Sequence, residues 1–243
     1  MCGLAGSLEF EPATSAEALA RQVKAMADTL HHRGPDSDGQ WLDAKAGIAL
    51  GFRRLAIIDL SEHGAQPMTS HDDRYVIAYN GEVYNFPEMR AELVDRCHEF
   101  NGHSDTEVIL AAIVEWGLEA AVGRFVGMFA FALWDRRERT LALVRDRLGI
   151  KPLYYAQFGQ HLIFASEIRA LRTHPAFQGD VDRDALALYL KRNCVPAPKT
   201  IFQNVHKLPM GTVLRCDGKG KIELTPYWSL RQVAEGGQAS RFQ

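Results

Sequence analysis

Phe125-Val126-Gly127-Met128-Phe129-Ala130-Phe131-Ala132-Leu133-Trp134, then the charged break Asp135-Arg136-Arg137-Glu138-Arg139, then Thr140-Leu141-Ala142-Leu143-Val144-Arg145, decide the architecture. Two apolar runs of strand length around a short polar turn read as a buried β-hairpin. Phe125, Phe129, Phe131 and Trp134 are then core residues rather than a stacking platform. Working outward, strand-like segments lie at 3–10, around Trp41, and at 47–52, 54–58 and 75–79, with Asn80-Gly81 as a turn. Further strands are expected at 153–157 and 161–165. A last hairpin, 212–217 and 221–228, closes through Gly218-Lys219-Gly220.

Helical spacing covers 15–31, where Leu19, Val23, Met26 and Leu30 recur at three and four and Ser15 is placed to cap. It returns at 86–97 and 105–117, and in short pieces near 167–172 and 183–192. Hairpins with helices in separate runs argue for an α+β plan of antiparallel sheets layered with helices, not a doubly wound sheet. From about Ser229 the chain turns polar and Gly-containing, and residues 230–243 read as a linker stub without structure of its own.

The 243 residues carry 28 Lys and Arg against 30 Asp and Glu, a formal charge of -2, so no long-range field selects nucleic acid or an anionic membrane. The four cysteines are scattered and form no C-x-x-C pair, which suggests reduced thiols. The N-terminal residues run into Glu9 and Glu11 without the apolar stretch of a secretory signal. No apolar run approaches the roughly 20 residues of a membrane span. A cytoplasmic protein is expected. The nine histidines show no metal-ligand spacing, and no metal site is expected.

Cys2 stands out by position. If Met1 is trimmed, one residue carries both a thiol and an α-amine, and an amine with a pKa near 7.7–8.0 can take the thiol proton at neutral pH. A thiol that cleaves amides needs two donors for the oxyanion it creates. Asn80 can offer its side-chain amide and Gly81 its N–H, although Asn-Gly is most often just a turn. An amino-acid substrate also needs its ends held. Arg54 suits a carboxylate, while Glu82 and Asp105 can accept from an ammonium. For Asp105 the competing role is N-cap of helix 105–117, shared with Ser104.

The ordered set of motifs resembles the N-terminal glutaminase domain of glutamine-dependent asparagine synthetases, which are class II, N-terminal-nucleophile (Ntn) amidotransferases. The resemblance rests on Met1–Gly6, His32-Arg33-Gly34-Pro35-Asp36, Arg54–Asp59, Gln66-Pro67-Met68, Tyr79–Asn85, Ser104–Glu107, Gly127–Ala132, Arg145–Tyr155 and Phe164–Glu167. It covers residues 1 to about 230. It implies a four-layer αββα sandwich of two antiparallel sheets, of the Ntn hydrolase type. Cys2 would be the nucleophile, and Asn80 with Gly81 the oxyanion hole. Arg54, Glu82 and Asp105 would clamp glutamine, and the backbone around Leu55 and Ile57 would line the pocket.

His32–Asp36 is expected to position a loop near the nucleophile without direct chemistry. Arg145–Tyr155 is expected to be an ion-paired turn, with Lys151-Pro152 serving packing. The family's ATP-binding Ser-Gly-Gly-x-Asp-Ser loop is missing. The expectation is therefore a glutaminase domain over 1–229, without cofactor, from a parent whose separate synthetase domain, in cis or in trans, would use ATP and magnesium. A homodimer is admitted. The alternatives are a glutaminase half serving another acceptor, such as a cell-surface sugar or a β-lactam precursor, and a non-catalytic glutamine-binding module.

Overall fold

The computed structural model describes residues 1–240, with side chains through Gly236. In chain order the strands are β1 (Gly3–Glu9), β2 (Ser37–Asp43), β3 (Ile48–Arg54), β4 (Met68–Thr69), β5 (Tyr75–Val83), β6 (Gly127–Asp135), β7 (Thr140–Arg145), β8 (Tyr154–Phe158), β9 (His161–Ala165), β10 (Val205–Lys207), β11 (Thr212–Asp217) and β12 (Ile222–Pro226). The helices are α1 (Ala16–Asp28), α2 (Phe86–Asp95), α3 (Asp105–Trp116), α4 (Leu118–Arg124), α5 (Ile168–Leu171), α6 (Arg183–Arg192) and α7 (Leu230–Ser240).

Two six-stranded sheets form, ordered β10-β8-β9-β1-β3-β2 and β12-β11-β7-β6-β5-β4. Every pairing in both is antiparallel. Period-two alternation assigns each side chain to a layer. Leu4 and Leu8 of β1, Val76 and Ala78 of β5, and Ala130, Ala132 and Trp134 of β6 meet in the core between the sheets. Their odd-numbered neighbours Ile77, Tyr79, Phe129, Phe131 and Leu133 pack under α2, α3 and α4, against Leu93, Val108, Ile109 and Ile113. On the opposite outer face Ala5, Ile163 and Ala165 lie under α1 and α5, against Met26, Leu30 and Leu171. The four-layer αββα sandwich implied by the resemblance is the fold.

The hairpin that led the reading is β6–β7, with Asp135 Oδ1 accepting the Arg137 and Glu138 N–H groups across its turn. Its first strand starts at Gly127, because Phe125 closes α4, a helix that the spacing did not reveal. Ser15 caps α1 as expected, its hydroxyl accepting from Ala18 N–H.

Three local expectations fail. Asn80-Gly81 is not a turn but lies inside β5, paired with Ala130 and Phe129 of β6. Residues 55–58 form no strand, since Leu55 N–H donates to the Cys2 sulfur and Ala56 N–H to Asp36 Oδ2 instead of to a ladder. The stub is not structureless: α7 begins there, with Ser229 Oγ accepting Gln232 N–H and Arg231 paired with Glu235 at 2.8 Å. Its apolar residues Leu230 and Val233 stay exposed, so local capping and charge pairing make this helix rather than burial. Residues 241–243 of the expected stub lie outside the described residues.

Candidate active site

Parity also builds the site. Cys2 immediately precedes β1 in phase with Leu4 and Leu8, and packs against the core between the sheets. Asn80 is in phase with Val76 and Ala78, so its side chain enters the same gap from the facing sheet. The two line one cavity of about 310 Å³, near the lower end of the ~300–1,000 Å³ typical of ligand pockets. Arg54, Leu55, Ile57, Gly81, Glu82 and Asp105 also line it, so all eight residues singled out in the sequence converge.

The Cys2 sulfur accepts the Leu55 N–H at 3.3 Å and lies 3.5 Å from the Leu55 carbonyl oxygen. Burial pushes the thiol above its ordinary range, while the Leu55 N–H, the chain's N-terminal charge, Arg54 and Lys151 each pull it back. Asn80 is 1% exposed, and its Nδ2 has no hydrogen-bond partner. A buried unpartnered amide donor costs about 1–3 kcal/mol, so this one stands ready for an acceptor.

The second donor follows from strand geometry. Arg136 N–H donates to Arg74 O and Tyr84 N–H to Val126 O, which makes the even-numbered residues of β5 the hydrogen-bonded partners of β6. The odd-numbered N–H groups therefore face the other way. Tyr79 N–H donates to Gln66 Oε1 at 2.6 Å and Val83 N–H to Asp105 Oδ2 at 3.0 Å. Gly81 N–H falls between them, and among the described residues nothing accepts it. Gly81 is required on its far side. A Cβ there would sit 2.4 Å from the Met128 carbonyl oxygen, so the missing side chain serves strand packing.

Asp105 is the first residue of α3, and Ser104 takes the N-cap role by accepting Glu107 N–H. Asp105 Oδ2 accepts both the Tyr79 hydroxyl and Val83 N–H. Burial raises its carboxyl pKa against the pull of these bonds. Arg54 donates Nη1–H to Ser61 O at 2.9 Å and Nη2–H to Asp59 O. It thus organises loop 55–65 and retains further guanidinium protons. That loop is closed by Asp59, which accepts from Ser61 and from His103 N–H.

The sequence underrated three residues. Arg33 does touch Cys2, donating Nε–H to its carbonyl at 2.9 Å while pairing with Glu167. Gln66 fixes β5 by holding Tyr79 N–H. Lys151 is only 4% exposed and lines the cavity. The expected ion-paired turn around it is instead a cage of backbone contacts. Asp146, fully buried, accepts the N–H groups of Phe129, Leu148, Ile150 and Lys151. Arg145 donates to the carbonyls of Gly149, Lys151 and Leu208. A lone lysine in the apolar run Leu148–Leu153 was the available signal.

Among the described residues no group of three or more His, Cys, Asp or Glu is placed to hold a metal ion. No described helix is long and apolar enough to cross a membrane.

A family described as a glutamine amidotransferase domain matches residues 1–228. The chain belongs to that family. The amidotransferase domain is 39% identical over 230 residues to asparagine synthetase [glutamine-hydrolyzing] 1 of Bacillus subtilis, covering 94% of this chain and 35% of the relative. It is 40% identical over 233 residues to a putative asparagine synthetase [glutamine-hydrolyzing] of Mycobacterium tuberculosis, covering 88% and 35%. The chain thus spans about a third of the length of these relatives. Its fold is shared by the glutamine phosphoribosylpyrophosphate amidotransferase of B. subtilis, with a TM-score of 0.68 at 17% identity over 93% of this chain and 49% of that one.

Proposed function

We propose that this amidotransferase domain hydrolyses glutamine through Cys2 and supplies the ammonia to asparagine synthesis in a parent that carries an ATP-dependent synthetase domain. The observation that carries the reading is the unpartnered, buried Asn80 Nδ2 in the cavity that holds the Cys2 sulfur. With Met1 removed, the Cys2 amine takes the thiol proton as the sulfur bonds to the amide carbon of glutamine. The carbonyl π electrons move to oxygen, where Asn80 Nδ2–H and Gly81 N–H receive the charge. Collapse breaks the C–N bond, and the proton held by the amine leaves with ammonia. Water, losing a proton to the same amine, then attacks the thioester and returns the sulfur as glutamate departs.

Arg54 holds the glutamine α-carboxylate in this reading. Asp105 and Glu82 accept from its α-ammonium, and the Leu55–Ile57 backbone forms a wall. The hydrolysis needs no cofactor, and ATP and magnesium belong to the synthetase domain, which is the partner in cis or in trans. All four cysteines are free, which fits a reducing, cytoplasmic setting. The test is ammonia release from glutamine by the chain and its Cys2→Ala variant. Release by the parent and none by the variant supports the reading, and release that survives the substitution ends it.

A further inference from the structure

Lys151 combines features that packing does not require. It lies on the connection from β7 to β8, where the chain crosses from one sheet to the other, and its backbone is fixed on both sides. Its N–H donates to Asp146 Oδ2 at 2.9 Å and its carbonyl accepts Arg145 Nε–H at 2.8 Å. Its side chain is 96% removed from solvent and lines the cavity shared with Cys2. Among the described residues no carboxylate pairs with its ammonium and no acceptor bonds it. With the stem buried and no protein partner, the ammonium opens onto the cavity, where its charge acts on the groups that share it.

We infer that Lys151 is a positioning residue that acts electrostatically through Cys2, stabilising its thiolate and disfavouring a proton on its α-amine. Both effects follow from one positive charge: an opposite charge nearby favours the ionised sulfur, and a like charge disfavours the ammonium. The pull of Lys151 on the thiol acts in this direction. The other charged or titratable groups facing Cys2 are Arg54 at the end of β3, Tyr79 and Glu82 on β5, Asp105 on α3, Asp59 in loop 55–65, and Arg33 between α1 and β2, whose donors go to the Cys2 carbonyl and to Glu167. Arg54 spends donors on two loop carbonyls, and the three acids oppose the thiolate. Lys151 is the cavity cation whose ammonium no protein group engages among the described residues. The inference rests on Cys2 being the nucleophile, but its test does not need turnover.

The test is the pH dependence of Cys2 alkylation by iodoacetamide, read by mass spectrometry of the N-terminal peptide so that exposed Cys97 and Cys194 do not interfere. In Lys151→Met and Lys151→Gln the midpoint should rise by about one unit, lowering the rate at pH 7 about tenfold. Lys151→Arg should stay close to the parent. A second measurement uses the unsubstituted chain: the Lys151 Cε resonance should step at the thiol's own midpoint, and lose that step in Cys2→Ala. Folded Met and Gln variants that follow the parent's curve would overturn the inference, as would a Cε resonance without the step. Loss of ammonia release with an unmoved alkylation curve would also overturn it. Failure of the glutaminase reading alone would leave a shifted curve in a chain that releases no ammonia.

Discussion

The Tyr79 hydroxyl donates to Asp105 Oδ2 at 2.6 Å, tying the first residue of α3 to the strand that carries Asn80 and Gly81. This phenol is fully enclosed in the outer core, so water cannot replace it. Tyr79→Phe should therefore loosen Asp105 and let its already raised carboxyl pKa climb further, because the lost bond opposed that rise. A hydrogen bond to a charged group contributes about 1.5–3 kcal/mol, so glutamine KM should rise by about tenfold or more, with kcat little changed. The rise should be larger at pH 6 than at pH 8, since a protonated Asp105 no longer attracts an ammonium. Steady-state kinetics at the two pH values check this.

Asn80→Ala removes the buried, unpartnered Nδ2 donor from the cavity that Cys2 lines. If Asn80 serves the oxyanion, the expected result is a kcat lower by about 10²–10³ with KM close to the parent value. A change confined to KM would place Asn80 in substrate binding instead.

Gly81→Ala tests packing rather than chemistry. The new methyl would meet the Met128 carbonyl oxygen and the Phe129 Cα, at 2.4 and 2.7 Å, both on the adjacent strand. β5 and β6 must part to admit it, at a cost of about 1–3 kcal/mol. Thermal unfolding should show a lower Tm even with glutamine absent.

Asp59 gives a pH-dependent signature. Its hydrogen bonds to Ser61 and His103, against a smaller desolvation effect and with help from Arg54, lower its pKa to about 2. The unfolded value is near 3.9, so the ionised carboxylate stabilises the fold fully above that pH and loses its effect as pH falls through about 2. Asp59→Asn should accordingly be less stable than the parent at pH 7. The gap should narrow below pH ~4 and close towards pH 2. Urea unfolding across that range reads it directly.

Much of this was legible because period and capping are local. Leu19, Val23, Met26 and Leu30 announced α1, and the unbroken apolar run of β6 announced a strand buried on both faces. The eight candidate residues, singled out through ordered motifs, line one cavity in the structure. What escaped depends on partners distant in sequence. Asn80-Gly81 carries turn chemistry, yet β6 captures it because the Gly lets the strands close. Lys151 appeared to belong to packing because nothing in its neighbourhood along the chain reveals Cys2, 149 residues earlier. α7 was hidden by Gly236-Gly237, although Ser229 and the Arg231–Glu235 pair lay in plain view.

The buried Asp146 carboxylate has a mechanical consequence. By gripping Phe129 of one sheet together with the segment leading to β8 of the other, it works as a rivet through the sandwich. A slip of one sheet over the other by a single residue, about 3.4 Å, would tear several of its bonds at once. The gap between the Cys2 and Asn80 sheets is thereby held to a fixed width, set by a carboxylate that lies outside the cavity.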